Sequence, residues 1–444
     1  MGSTRMRVAI LGGGYAGMAA AVTLSGAGVP VTVFEAAGHL GGRARRIEYR
    51  GATLDNGLHI LVGAYHETLR LVRLVHPDLN QVLLRLPLDW RIAHAFRLRA
   101  APLPAPLHLA AGLLTASGAS LAARLAAVRF MRALKAMSFR LPADTTVAEL
   151  LESHRQDDAI SRHLWRPLCV AALNTPPEQA SAQVFANVLR DSFGGARANS
   201  DLLLARCDLS ALFPDPAADW VRTRGGEIVL GRTVTAVSGG RGRFTVHARG
   251  EHREFTNVIC ALSPHRLGAL IAELPQLAGI AATVARFQYQ PIYSVYLQYA
   301  KRSSLPAPLV GLAGGLVHWV FDRETICGEA GRLAAVISAE GRHQDMEQDA
   351  LARHVHGELA QQFGPLPEPL WSRVIAEKRA TFACTPGLER PGQRTPLAGF
   401  HLAGDYVASD YPATLEAAVR SGLNCASQVL ESIHTTPIPS RATV

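Results

Sequence analysis

At 444 residues the chain is longer than one simple core organises, which predicts two domains. With 48% hydrophobic and 18% charged residues it is not an extensively disordered polypeptide but a folded protein somewhat more apolar than average. The net charge of +9 asks for an anionic partner or surface, yet the basic residues are not interleaved with aromatics and no nucleic-acid module appears, so nucleic acid is set aside.

In chain order, Arg5 to Leu11 is a short apolar run that predicts a buried parallel strand. Gly12, Gly13, Gly14, Tyr15, Ala16 and Gly17 follow as GxGxxG, then a helical pattern from Met18 to Ser25 with Gly28 as its stop. Val31 to Phe34 predicts a second strand, closed by Glu35. In such a unit Gly12 permits the tight turn, Gly14 lets a pyrophosphate approach the backbone, and Gly17 allows helix and strand to touch. The helix start offers free N–H donors to phosphate, and a carboxylate at Glu35 accepts hydrogen bonds from a ribose diol. This order predicts a dinucleotide site but does not choose between NAD and FAD.

Trp90 to Ala143 holds no Asp or Glu but eight Lys or Arg residues. Arg124, Arg129, Arg132, Lys135 and Arg140 fall within about half a helical turn of one another, which predicts a basic amphipathic helix suited either to an anionic membrane surface or to an ordinary solvated face. Pro102, Pro104 and Pro106 make the uncharged stretch from Ala100 to Ala123 a poor transmembrane span. Strands are predicted at Ile292–Tyr299, Leu316–Phe321 and Leu333–Ser338. Phe400 to Asp405 reads as a strand running into a Gly–Asp turn, followed by Pro412 in the first turn of a helix from Ala413 to Leu423. Thr435 to Arg441 predicts a frayed tail. Six scattered cysteines form no CxxC pair and no metal-ligand spacing, and with no signal-peptide cleavage pattern at the N-terminus this predicts buried thiols in a reducing cytoplasm.

Gly38-His39-Leu40-Gly41-Gly42-Arg43-Ala44, followed by Gly51 to Gly57, resembles the loop of the amine oxidase and phytoene-desaturase flavoprotein superfamily. The likeness extends over nearly the whole chain, and it implies FAD as cofactor. It implies a Rossmann-type α/β FAD-binding domain assembled discontinuously from residues 1–75, 206–262 and 378–444. A second, α+β substrate domain would come from a helical, membrane-facing part (76–205) and a sheet (263–377). It also implies that Arg43 donates to phosphate, although a solvated loop arginine would look the same. Gly404 and Asp405 would contact the ribityl chain and phosphate, the next helix would aim its N-terminus at the flavin, and Val234, in a hairpin from Gly225, would bracket the adenine. The implied cofactor contacts are Gly12, Gly14, Tyr15, Ala16, Gly17, Glu35, Gly42, Arg43, Gly57, Leu58, His59, Val234, Gly404, Asp405, Thr414 and Leu415.

Three further stretches resemble the hydroxysqualene dehydroxylase family: Asp55 to Tyr65 its DNGQH-xxxGAY, Leu164 to Pro176 its LWxPLCxAALNTP, and Ala403 to Gly422 its closing AGDW…PATIEGAVRSG. Leu58, Arg166, Tyr406, Asp410 and Tyr411 depart from those patterns. The implied reaction is acid-assisted loss of water from an allylic alcohol of a C30 isoprenoid, with hydride supplied by reduced flavin. It requires a general acid, because hydroxide leaves poorly. His59, Tyr406 and Asp410 are the unranked candidates, with Asn174 positioning the oxygen; His59 also fits a packing role and Asp410 a turn. No NAD(P) site is visible beyond the first unit, which implies a separate electron donor. A carotenoid desaturase is the alternative. An amine oxidase fits less well, since Thr414 stands where that family presents a cage tyrosine. A non-catalytic FAD-holding partner of terpenoid enzymes is the reading from another class.

Overall fold

The computed structural model describes residues 6–435 except 157–158, 241 and 302–304. Of the expected tail only Thr435, the last residue of a helix, lies within the described residues.

Val8–Leu11 is buried at all four positions, and parallel partners flank it on both sides. The sheet it centres has five parallel strands in the order Glu227–Val229, Val31–Phe34, Val8–Leu11, Asn257–Cys260, Phe400–Leu402. Gly12, at φ +108°, makes the turn out of the central strand. A side chain at Gly17 would run into the carbonyl oxygen of Gly12, so the helix Tyr15–Gly26 lies close against the sheet only because that position is bare. The same helix packs against Leu415–Thr435 and Pro214–Arg222.

The hairpin expected from Gly225 to Val234 does not form. Glu227–Val229 instead pairs with Val31–Phe34 at the sheet edge, and Gly231 (φ +68°) turns the chain into Val234–Gly240, the first strand of a separate antiparallel three-stranded sheet. The free edge of the parallel sheet takes the backbone groups that a hairpin would have paired.

A seven-stranded sheet builds the other half of the molecule, in the order Trp371–Phe382, Tyr289–Gln298, Arg332–Ser338, Trp319–Asp322, Leu309–Gly311, Asp89–Ile92, Phe96–Arg99. The predicted strands thus appear with shifted ends. Leu316 and Val317 stay outside theirs, because their N–H groups donate to Glu358 rather than to a neighbouring strand. Within residues 76–205, expected to be helical, Asp89–Ile92 and Phe96–Arg99 are strands that complete the sheet, anchored where Trp90 meets Trp319 edge to face at 4.7 Å. The long strand Trp371–Phe382 crosses the expected boundary at 377/378. All six cysteines are free thiols; Cys207 and Cys327 are only partly buried. Among the described residues no helix is long and apolar enough to cross a membrane.

The expected basic helix is Leu121–Ala136, capped by the Ser120 hydroxyl. Two of its five expected cations do not belong to the exposed basic face. Arg124 is drawn back onto the carbonyls of Ala119 and Leu114, and Arg140 lies past Ser138 and Phe139, whose positive φ angles end the helix. Arg129, Arg132 and Lys135 remain exposed.

Candidate active site

A cavity of about 1000 Å³ opens between the parallel sheet and the seven-stranded sheet, at the upper end of the usual range for ligand sites. Every residue expected to touch the cofactor lines it except Gly17, which is spent on packing. Two helices start at its wall, Tyr15–Gly26 and Leu415–Thr435. The first has no side-chain cap and no acidic residue in its first turn, so its N–H donors stay available to an anion. A Cβ built on Gly14 would meet nothing nearer than the Gly42 Cα at 3.8 Å, so the fold alone does not require glycine there, whereas close approach of a pyrophosphate does. Glu35 is fixed by the N–H groups of Gly13 and Ala37, each at 2.8 Å, and each oxygen keeps a lone pair for a diol. The residues present therefore fit a dinucleotide.

Arg43 has two partners within the fold. Its guanidinium donates to Asp405 at 2.6 Å and to the Ala380 carbonyl, tying the N-terminal loop to the Gly404–Asp405 turn. Asp405 is nearly buried, and a carboxylate there needs a cation more than a phosphate does in open water. Thr414 is not the second residue of a helix that begins at Ala413, as expected. It is the cap: its hydroxyl accepts from the Ala417 N–H, and the helix begins at Leu415, leaving Pro412 outside. The next residue, Glu416, is fully buried and accepts from the N–H groups of Glu67 and Thr68, the Thr68 hydroxyl and Arg420. It thereby caps a different helix, His66–Val75, which follows the cavity-lining Tyr65.

Of the four catalytic candidates, His59, Asn174 and Tyr406 line the cavity and Asp410 does not. Asp410 lines no part of the cavity; its side chain is 69% exposed and faces Arg190 at 3.5 Å, where water and a cation solvate its charge, so it is corrected to a surface turn residue. Asn174 lines the cavity, but its amide donates to the Pro291 carbonyl (3.2 Å) and the Thr381 hydroxyl (3.0 Å) and accepts from the Ala339 N–H (2.8 Å). With both N–H groups committed, it pins a left-handed helix end to three strands of the sheet rather than holding a substrate oxygen. Tyr406 is 1% exposed and its hydroxyl has no hydrogen-bond partner among the described residues. Burial, with the charges of Cys260 and Asp405 behind it, holds that phenol well above its ordinary range and makes it a poor acid. His59 faces the cavity, and burial, then the Arg43 charge, push its imidazole down to about 4. Its neutral form is favoured near pH 7, which argues against a resting imidazolium as the donor.

The cavity floor carries residues not singled out from the sequence: Trp319 and Phe321, Val336 and Ser338, Ile292, and Glu377, Arg379 and Thr381. These recur at every second position of their strands, and the register sets Trp319 opposite Val336 and Ile292 opposite both Ser338 and Glu377. The period-two pattern was present in the predicted strands; which of the two faces looks inward was not.

The sequence profile of flavin containing amine oxidoreductases matches residues 15–430. Hydroxysqualene dehydroxylase from Rhodopseudomonas palustris is 29% identical over 95% of this chain and 98% of its own length. A probable zeta-carotene desaturase from Synechococcus elongatus is 24% identical over 96% of this chain and 99% of its own. Wild-type putrescine oxidase bound to putrescine has a similar fold, with a TM-score of 0.72, 19% identity, and coverage of 96% of this chain and 99% of that one.

Proposed function

Since the chain belongs to the flavin containing amine oxidoreductase family, we propose that it catalyses the reductive dehydroxylation of hydroxysqualene to squalene. The cofactor is FAD, which when bound and reduced supplies the hydride. Gly12, Gly14, the start of the Tyr15–Gly26 helix and Glu35 would hold its adenosine diphosphate half. The Gly404–Asp405 turn and the start of the Leu415–Thr435 helix would hold the rest, the positive helix end favouring negative charge nearby.

The observation that carries the reading is the division of the cavity. The glycine loops and helix starts make one wall polar, while Leu58, Ile60, Ala172, Ile292, Trp319 and Val336 make an apolar stretch of the opposite side. A C30 hydrocarbon with one hydroxyl group matches that asymmetry, since its chain gains by leaving water and its single oxygen needs one polar station. The zeta-carotene desaturase match is weaker than that to the dehydroxylase, so oxidation of a carotenoid precursor is the less favoured reading.

The electron donor is a separate protein or a free reduced flavin, because no second nucleotide unit appears in the sequence. An anionic membrane surface is the second partner. Leu103, Leu107, Leu114, Leu121 and Leu125 are exposed within one short segment, beside Arg129, Arg132 and Lys135. Apolar residues that enter the headgroup boundary next to cations are the composition of an interfacial helix.

Anaerobic incubation of the reduced holoprotein with hydroxysqualene, followed by mass spectrometry, tests the assignment. Squalene with reoxidised flavin is the expected result. No squalene, together with dehydrogenated products when the oxidised protein meets squalene or phytoene, would transfer the chain to the desaturases.

A further inference from the structure

None of the expected acids serves as a resting proton donor, yet departure of hydroxide needs one. Beside the main cavity lies a smaller one of about 10 Å³, room for about one water, walled in part by Asp55, His59, Leu209 and Arg323. Leu58, His59 and Phe321 line both spaces, so the imidazole stands in the partition between them. Asp55 is 2% exposed. Its backbone is held on both sides by the Tyr296 hydroxyl, which accepts from the Asp55 N–H at 3.1 Å and donates to the Asp55 carbonyl at 3.0 Å. One carboxylate oxygen accepts from the Leu209 N–H at 2.8 Å.

We propose that Asp55 is the proton reservoir of the site, passing a proton through one water to His59, which passes one to the leaving hydroxyl group in the main cavity. This rests on the dehydroxylase reading above. The carbon–oxygen bond of the allylic alcohol breaks with its electron pair moving onto oxygen, which takes the His59 proton and departs as water. His59 regains a proton at its other nitrogen from the water, the water regains one from Asp55, and Asp55 is left as carboxylate until solvent restores its proton. The allylic carbon receives hydride from the reduced flavin, so one proton and one hydride enter for each hydroxyl lost as water, and an external reductant restores the flavin.

A neutral imidazole suits this role, because it takes a proton on one nitrogen while giving one from the other. The charged surroundings suit Asp55 to its part. Burial raises its carboxyl to about 7; Arg323 and the Leu209 N–H oppose the rise, while Asp208 and Glu329 add to it. Arg323 is itself neutralised by Glu329 at 3.0 Å, which keeps it from holding Asp55 fully ionised. Tyr15, Tyr296 and Cys207, the other titratable groups that face Asp55, are all raised by burial and stay neutral, and His59 is faced by Arg43 and Asp405.

The test compares wild type with Asp55→Asn and His59→Phe as FAD-loaded proteins. Asparagine keeps the acceptor for the Leu209 N–H but carries no exchangeable acid proton. For Asp55→Asn we expect squalene formation to fall about 100-fold or more in kcat, within the span of general acid catalysis, with KM and bound FAD unchanged. The wild-type rate should decline as pH rises through about 7 and that limb should vanish in the variant. Infrared difference spectra taken across the same pH range should show a buried protonated carboxyl in wild type and in His59→Phe, and none in Asp55→Asn. Activity within about twofold of wild type with an unchanged pH profile, or no titrating carboxyl band, would overturn the relay. Should wild type form no squalene, the dehydroxylase reading fails, and the infrared titration still decides whether Asp55 holds the proton.

Discussion

Glu416→Ala tests how the two ends of the chain cooperate to build the site. The carboxylate is fully buried and accepts four hydrogen bonds, three of them from the start of the His66–Val75 helix. Arg420, 37% exposed, can recover water when its partner goes, so its share is small, under about 1 kcal/mol. The Glu67 and Thr68 amides lose their acceptor at a helix start, and hydrogen bonds to a charged group are worth about 1.5–3 kcal/mol each before compensation. The combined loss should be about 3–5 kcal/mol, as for other buried charges stripped of their partners. Against a total of roughly 5–15 kcal/mol this is a large fraction, and FAD affinity should fall with it because Tyr65 and Thr414 border the same contact. Urea unfolding of the FAD-free protein, with fluorescence titration of FAD, measures both. A stability change below about 1 kcal/mol would refute the assignment of Glu416 as the cap that joins the segments.

Gly14→Ala should leave the apo fold intact, since its Cβ meets Gly42 only at ordinary contact, while bound FAD drops at least tenfold; full flavin content in the purified variant would displace the pyrophosphate from that loop. Asp410→Asn should keep squalene formation within about twofold of wild type, as a surface substitution does, and a steady-state rate an order of magnitude lower would restore it to the site. Replacing Arg129, Arg132 and Lys135 by glutamate should weaken sedimentation with anionic liposomes, and equal partitioning of the two proteins would end the membrane reading. Acid should destabilise the protein between about pH 6.5 and 4. The His59 and His318 imidazoles, each held near 4 by burial, bind protons more readily when unfolded, so their contribution is full above 6.5 and lost as pH falls. Asp55, raised to about 7, acts oppositely and loses its contribution as pH rises; urea midpoints across this range should therefore drop more steeply toward acid in Asp55→Asn.

Local rules made the nucleotide half legible. Gly17 answers to contacts within a few residues of itself, at Gly12 and Ile10, and Val31–Phe34 carries its strand signal in its own composition. Asp410 and Asn174 departed from their expected places for a different reason. Asp410 lies in the same motif as Thr414, but exposure is a property of the folded surface and leaves no mark in a motif. Asn174 was singled out within the Leu164–Pro176 stretch, yet its partners at 291, 339 and 381 lie in or beside strands whose register no single segment encodes. Glu416 was passed over because the amides it caps lie 348 and 349 positions away. Asp55 was quoted only as the start of a motif, and its burial beside His59 depends on Leu209 and Arg323, both remote in sequence.

The five-stranded sheet has a consequence for the history of each molecule. Its last strand, Phe400–Leu402, and the helix whose start borders the cavity are made long after its first strand, Val8–Leu11. A growing chain that has not reached Phe400 lacks part of the nucleotide wall, although its first strand and glycine turn are already made. Capture of FAD therefore awaits synthesis of the Phe400–Leu402 strand and the Leu415–Thr435 helix. Cellular flavin supply then sets how much of the newborn protein escapes chaperones and proteases, because only the finished fold gains stability from the nucleotide.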